Sequence, residues 1–328
     1  MPHSTPTSMS HGTPGLVSNG TPQIAVIIPC HNEAVAIGKV IKDFRAALPD
    51  ATIFAYDNCS IDDTSRVARE HGAVVRFEGQ KGKGNVVRRM FADVEADIYV
   101  MVDGDDTYDA AAAPAMIDVL LSESVDMVTA IRDDDSEAAY RRGHRFGNWL
   151  LTGLVAYIFG NRSTDMLSGY RVMSRRFVKS FPALSAGFEI ETELTVHALQ
   201  LRCPIAERRT RYKERLPGSV SKLSTYRDGY RILSYIALLV KEELPLAFFG
   251  LGSATLFLAG VAFAIPLWIT YLQTHLVPRL PTAVLVVGLV VSSALSLVCG
   301  LVLATVTRAR NEMKRLHYLS HSIRLSRR

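Results

Sequence analysis

The sequence predicts an α/β fold with a mostly parallel sheet flanked by helices, followed by an interfacial amphipathic helix and a two-helix transmembrane hairpin. Three observations carry this. Short apolar runs alternate with helix-length segments from Ile24 to Ile131, polar triplets and acidic groups stand at the ends of several runs, and two long charge-free stretches follow Pro245. Alternating strand and helix patterns pack as a parallel sheet with helices on both faces.

Residues 1–23 are rich in Ser, Thr, Pro and Gly and lack both a basic n-region and an apolar core. They read as a disordered leader and not a signal peptide. Ile24–Pro29 is a short buried strand, and Ala34–Ala47 has helical spacing. Thr52–Asp57 is a second strand, after which Ser60–Asp63 opens a helix with a capping pattern. Ala73–Phe77, Ile98–Asp103 and Met127–Ile131 are three further strands. Ligands of such sheets sit beyond the carboxyl ends of the strands. Here three ends carry His31-Asn32-Glu33, Asp57-Asn58 and Asp103-Gly104-Asp105-Asp106. The catalytic domain is expected over 24–225.

Residues 226–244 carry Tyr230, Leu233, Ile236, Ala237 and Val240 at helical spacing, with Arg227, Arg231 and Lys241 among the polar positions. This fits an amphipathic juxtamembrane helix in the interface or a helix packed on the domain. Phe248–Leu272 and Thr282–Thr307 each exceed the roughly 20 residues that span a bilayer, and they make 245–307 a hairpin, with Pro266 a kink site in its first helix. Lys241 precedes the pair and Arg308, Arg310, Lys314 and Arg315 follow it, against a single Arg in Gln273–Pro281. That bias places both ends in the cytosol, with 308–328 a basic cytosolic tail.

Composition narrows the function. Hydrophobic residues make up 48% of the chain, but their excess lies after Pro245, so the tail differs in kind from the domain. The formal charge is +5, and basic residues gather in Tyr140–Arg145, Arg208–Arg231 and Arg308–Arg328. Such clusters suit an anionic ligand or an anionic membrane surface, and nothing resembles a nucleic-acid module. The four cysteines show no CxxC spacing, which argues against zinc and a disulfide framework and for a reduced compartment. No GxGxxG follows the first strand and no GxxxxGK[ST] occurs, so neither a dinucleotide site nor a P-loop has its phosphate cradle. Lys81-Gly82-Lys83-Gly84 either approaches a phosphate or makes a helix-entry turn with solvated lysines.

Asp103 and Asp105, one residue apart where an apolar strand ends, can hold a divalent cation against a diphosphate; Mg²⁺ or Mn²⁺ suits such hard oxygen ligands. Asp57 suits a ribose hydroxyl or a base edge, or else an Asx turn with Asn58. Glu33 accepts from ribose, or is a first-turn residue favoured by the helix dipole. Arg132 follows the fifth strand, and Arg142, Arg145 and Asn148 lie at i, i+3 and i+6. The arginine forks suit a lipid phosphate, or else the helix has a solvated basic face. Arg171 is a further phosphate ligand or a partner for Asp165.

Taken in order, Ile27–Glu33 (I-I-P-C-H-N-E), Asp57, the D-G-D-D loop, Ser168-Gly169-Tyr170-Arg171 and Gly218–Leu223 (G-S-V-S-K-L) resemble family-2 glycosyltransferases of the GT-A fold. The resemblance is to the polyprenyl-phosphate (dolichol-phosphate) sugar synthase branch and covers roughly Gln23–Leu244, with a tail similar to its membrane-anchored members. His31 departs from the family's usual Tyr, and the QxxRW motif of processive synthases is absent.

The resemblance implies an inverting hexosyltransferase that moves a sugar from a UDP- or GDP-sugar to undecaprenyl or dolichyl phosphate at the cytosolic membrane face. It implies that Pro29, His31, Glu33 and Asp57 line the nucleoside pocket. Asp103, Gly104 and Asp105 hold diphosphate and metal, and Arg215 and Lys222 close over the donor phosphates. A phosphate acceptor is already anionic, so positioning matters more than proton abstraction. If a base operates, Asp105 and Asp165 are candidates, and Glu189, Glu191 and Glu193 alternatives. Glu189 and Glu193 share a helix face that Glu191 does not. The expected partners are the donor, the lipid phosphate and the bilayer; a homo-oligomer stays open. The alternatives are transfer to a lipid alcohol or a protein, and a catalytically silent membrane scaffold.

Overall fold

A computed structural model of the chain describes residues 21–133, 153, 155–157, 165–187, 189–213, 234 and 237–321. Its strands are Ile24–Cys30 (β1), Thr52–Asp57 (β2), Val74–Phe77 (β3), Ile98–Met101 (β4), Met127–Asp133 (β5), Arg171–Ser174 (β6) and Ile205–Arg211 (β7). They form one sheet in the order β3-β2-β1-β4-β6-β5-β7. Neighbours run parallel except β6, which is antiparallel to both β4 and β5. The sheet is thus mostly parallel, as the sequence predicts, with one reversed strand that it does not.

Strand β1 explains why the domain has two apolar layers. Its side chains alternate between the faces, so Val26 and Ile28 join one buried cluster while Ala25 and Ile27 join the other. The first cluster is closed by Ile37–Ala47 (α1), whose Ile37, Val40, Ile41 and Phe44 recur on one stripe, and by Ala113–Ser122 (α4). The second is closed by Lys83–Asp93 (α3), Arg175–Ser180 (α5) and Ile190–Leu201 (α6). Between α1 and α3 lies the short helix Thr64–Glu70, α2. It starts later than the capping pattern suggests. The Ser60 hydroxyl is committed to the Asn32 N–H at 2.9 Å, and the Asp62 carboxylate accepts from the Thr64 N–H instead.

Beyond the domain, residues 237–243 are helical and lead into Pro245–Thr274 (α7), then Leu280–Ser320 (α8). Both helices are long and apolar enough to cross a membrane, and only 11% of each apolar window is buried within the protein. Pro266 sits inside α7, which continues beyond it. The pair packs through small residues, as helices in lipid do. Ser293 donates to the Ser253 carbonyl at 2.9 Å, Ser296 donates to the Phe249 carbonyl at 2.9 Å, and a Cβ on Gly300 would stand 3.1 Å from the Phe249 Cβ. Thr307 donates to the Glu242 carbonyl at 2.9 Å, so the hairpin leaves and returns at one place.

The basic segment from residue 308 does not start a separate tail. It is the last turns of α8, which run back onto the domain. Arg310 pairs with Glu242 and Glu243, and Lys314 donates to the Gln200 side chain at 2.7 Å. Tyr318 enters the second apolar cluster.

Candidate active site

The carboxyl ends of β1, β2, β4, β5 and β7 share one edge of the sheet, and the reversed β6 brings the 165–170 loop to the same edge. A cavity of about 520 Å³ opens there. Pro29, His31 and Glu33 line it from the β1 end, Asp103, Gly104 and Asp105 from the β4 end, and Arg132 from β5. These expected residues are therefore brought together. Asn58, Lys83, Tyr108, Glu191 and Tyr212 join them.

The wall is set by local hydrogen bonding. The 31–34 loop is stapled to the start of α2: the Glu33 N–H donates to the Thr64 hydroxyl at 2.8 Å and the Ile61 N–H to the Asn32 side chain at 2.8 Å. Asn58 pins the opposite loop, donating to the Glu78 and Gln80 carbonyls and accepting from the Gly82 N–H at 2.7 Å.

The charged centre is a triad of the buried Glu191, a nearly covered Lys83 and a half-buried Asp103. The Lys83 ammonium contacts Asp103 Oδ1 and Glu191 Oε1, each at 2.5 Å. Burial works against the Lys83 charge, but the two carboxylates outweigh it and hold its pKa above the usual lysine range. Glu191 is shifted up, chiefly by burial, and its Oε2 has no hydrogen-bond partner. Asp103 packs so closely on Gly169 that a Cβ there would stand 2.4 Å from Asp103 Oδ2. Asp105, also buried, accepts from the Thr107 hydroxyl at 2.7 Å. Among the described residues, no cluster of three or more His, Cys, Asp or Glu side chains is arranged to hold a metal. Asp103 and Asp105, both carboxylates on the cavity wall, are the hard oxygen donors that would hold a divalent ion there.

A sequence model described as glycosyl transferase family 2 matches residues 25–181. Glycosyltransferase AglJ of Haloferax volcanii is 34% identical over 229 residues, which cover 69% of this chain and 75% of that protein. The chain belongs to glycosyltransferase family 2. A dolichyl-phosphate hexose transferase of Haloferax volcanii is 27% identical over 221 residues, 67% of this glycosyltransferase and 95% of that one. Glucosyl-3-phosphoglycerate synthase of Mycobacterium tuberculosis, solved with Mn²⁺, UDP-glucose and phosphoglyceric acid, superimposes with a TM-score of 0.56 at 23% identity, covering 67% of this chain and 79% of that one. That likeness is one of fold, and it is the GT-A fold.

Several site residues of this glycosyltransferase stand otherwise than the sequence suggests. Asp57 is buried outside the cavity lining, where its two oxygens accept from the Ser60 N–H at 2.9 Å and the Ser65 hydroxyl at 2.5 Å. It fixes the entry to α2. Asp165 receives both arms of the Arg132 fork at 2.7 and 2.8 Å, so the base candidate and the phosphate candidate neutralise each other. Arg171 is wholly buried, where the Glu191 and Asp165 carboxylates favour its charge through space. It donates to the carbonyls of Met166, Ser168 and Glu191 and to the Thr195 hydroxyl. Burial pushes its pKa down to about 10.

Glu191 faces the cavity, whereas Glu189 and Glu193 line a second cavity behind it. Arg142, Arg145, Asn148, Arg215 and Lys222 lie outside the described residues. Lys83 and Asn58 are the cavity-lining positions that the sequence undervalues. The Gly-Lys-Gly spacing marks Lys83, and the strand end marks Asn58.

Proposed function

We propose that this glycosyltransferase moves a sugar from a UDP- or GDP-sugar to a polyprenyl phosphate at the cytosolic face of a membrane, with inversion at the anomeric carbon. One observation carries the reading. The carboxylate-lined cavity lies at the strand ends of a domain against which the end of its own apolar hairpin packs, and this supports a donor-type site working close to a bilayer. The name of the dolichyl-phosphate hexose transferase relative supports the same acceptor class.

Pro29, His31 and Glu33 form the nucleoside end of the cavity, and Asp103, Gly104 and Asp105 the diphosphate end. A divalent cation bound by Asp103 and Asp105 supplies charge neutralisation for the departing nucleotide. Gly169 leaves Asp103 room to lie against the 168–170 turn, and Thr107 orients Asp105. Arg132, stacked 5.5 Å from the Tyr212 ring, is the cavity's cation on the acceptor side, and its pairing with Asp165 fixes the guanidinium plane. Arg142, Arg145 and Asn148 complete the acceptor's anion seat, while Arg215 and Lys222 close over the donor. An anionic acceptor attacks without surrendering a proton, so Asp165 is not required as a base. The charge bias places both ends of the hairpin and the catalytic domain in the cytosol. Domain limits of 24–225, 226–244 and 245–307, after the 1–23 leader, follow the same scheme.

The test is a panel of nucleotide-sugars incubated with polyprenyl phosphate or the corresponding alcohol, scored by product mass. Sugar on the phosphate alone supports the reading, and sugar on the alcohol or on protein overturns it.

A further inference from the structure

The Lys81-Gly82-Lys83-Gly84 turn is held in place by close backbone packing. Gly82 has a φ of 135°, and a Cβ there would stand 2.2 Å from the Ala186 carbonyl oxygen. A Cβ on Gly84 would stand 2.0 Å from the Ser185 carbonyl oxygen. The 184–185 backbone is itself fixed, because its two N–H groups donate to the Glu193 carboxylate at 2.8 Å each. Glycine on both sides therefore lets the first turn of α3 press against a rigid loop, with the lysine between them aimed inward. Its ammonium sits between Asp103 and Glu191, only 9% exposed. Helix α6 presents Glu191 from a start held by Arg171.

We propose that Lys83 is a positioning residue: a built-in counter-cation that occupies Asp103 until metal and nucleotide arrive together, and so couples their binding. The proposal rests on the donor-site reading above. Asp103 carries one negative charge, and Lys83 already neutralises part of it. A divalent ion arriving alone has to displace the ammonium toward Glu191, which costs it affinity. A nucleoside diphosphate arriving with the ion gives the displaced ammonium a second anion, so the two ligands help each other. By linkage each then raises the other's affinity by the same factor. The unpartnered Oε2 of Glu191 leaves that carboxylate able to keep the ammonium alone.

The test measures Mn²⁺ binding by loss of the free-ion EPR signal, with and without UDP or GDP, in full-length protein. Lys83→Met keeps the apolar stem and removes the charge. Wild type should bind Mn²⁺ weakly alone and more tightly with nucleotide. Lys83→Met should bind Mn²⁺ alone about ten- to hundredfold more tightly than wild type, with most of the coupling to nucleotide lost. A purely structural lysine would not tighten a metal site on removal. Should the unpaired Glu191 unfold the single variant, Lys83→Met with Glu191→Gln removes both charges and should show the same tightening. Equal Mn²⁺ affinities without nucleotide, or unchanged coupling, overturn the counter-cation while leaving the donor site standing. Failure of wild type to bind Mn²⁺ with either nucleotide overturns the donor-site reading itself, and the proposal with it.

Discussion

Tyr318, two residues from the end of α8, donates its hydroxyl to Asp126, the residue before β5. Arg176 pairs with the same carboxylate at 2.6 Å and lies 4.3 Å over the Tyr318 ring, and the Ser174 hydroxyl donates to it at 2.7 Å. The end of an apolar hairpin helix and the sheet thus meet at one buried carboxylate. A single continuous helix, whose first part is apolar enough to cross a membrane, carries that contact, so the hairpin is packed against the domain and not loosely attached to it.

Tyr318→Phe keeps the ring against Arg176 and deletes only the hydrogen bond. A bond to a charged group contributes about 1.5–3 kcal/mol. The detergent-solubilised variant should unfold at a lower temperature than wild type, with its nucleotide affinity unchanged. An unaltered midpoint would show that the contact adds nothing to stability.

Arg171→Met should be far more damaging. The side chain is 0% exposed, and its donors satisfy three carbonyls and a hydroxyl that no water reaches. Stranding such groups costs about 1–3 kcal/mol each, so the domain should lose most of its stability. Soluble expression and thermal unfolding read this directly. A stable Arg171→Met protein that has lost only acceptor use would restore the phosphate-ligand role.

These two residues show where the sequence is legible. The β1, β2 and β4 ends were readable because continuous apolar runs stop abruptly at polar triplets, and the acidic loop falls at such a stop. Arg171 was not, because an arginine in a motif looks the same whether it faces a ligand or a ring of carbonyls. Helix α6 was legible only as a shared face for Glu189 and Glu193, for a related reason: apart from Glu193 it is buried all round, so it has no amphipathic stripe to fix its bounds. Lys83 was half visible, since the glycines announce a turn but not the carboxylates waiting across the cavity. The basic run after residue 307 reads as a basic cytosolic tail, whereas Tyr318 stands among apolar neighbours 192 positions from its partner in sequence.

Activity should require a divalent cation. Asp105→Ala should abolish turnover while circular dichroism and thermal unfolding show a folded protein, the loss of the Thr107 hydroxyl's 2.7 Å bond to its carboxylate being a change within one loop. Full activity after exhaustive chelation would remove the metal from the scheme.

Arg142→Ala and Arg145→Ala should weaken lipid-phosphate use far more than nucleotide-sugar binding. Each charge-assisted contact is worth about 1.5–3 kcal/mol, roughly one to two decades in apparent affinity. A rise confined to the donor's Michaelis constant would move both arginines to the donor side.

The hairpin can be removed without removing the brace, and the two should be separable. Cutting the chain after Lys241 deletes Tyr318, Arg310 and Lys314 along with α7 and α8. It therefore strips the second apolar cluster of a member and leaves Asp126 short of a donor. That truncation should yield an unstable domain, against the simple expectation that every donor motif lies upstream and survives. Glu242 and Thr307, however, are already in hydrogen-bond contact. A short flexible linker replacing residues 245–306 spans that gap and lets 307–321 dock as before. The excised protein should be folded, soluble and able to bind nucleotide, and should use a short water-soluble acceptor phosphate almost normally. Transfer to long-chain lipid in vesicles should fall sharply, because the local concentration that membrane tethering supplies is gone. Undiminished vesicle activity would show that the helices do not serve acceptor capture. Equal stability of the truncated and excised proteins would show that the docked end of α8 is not a brace.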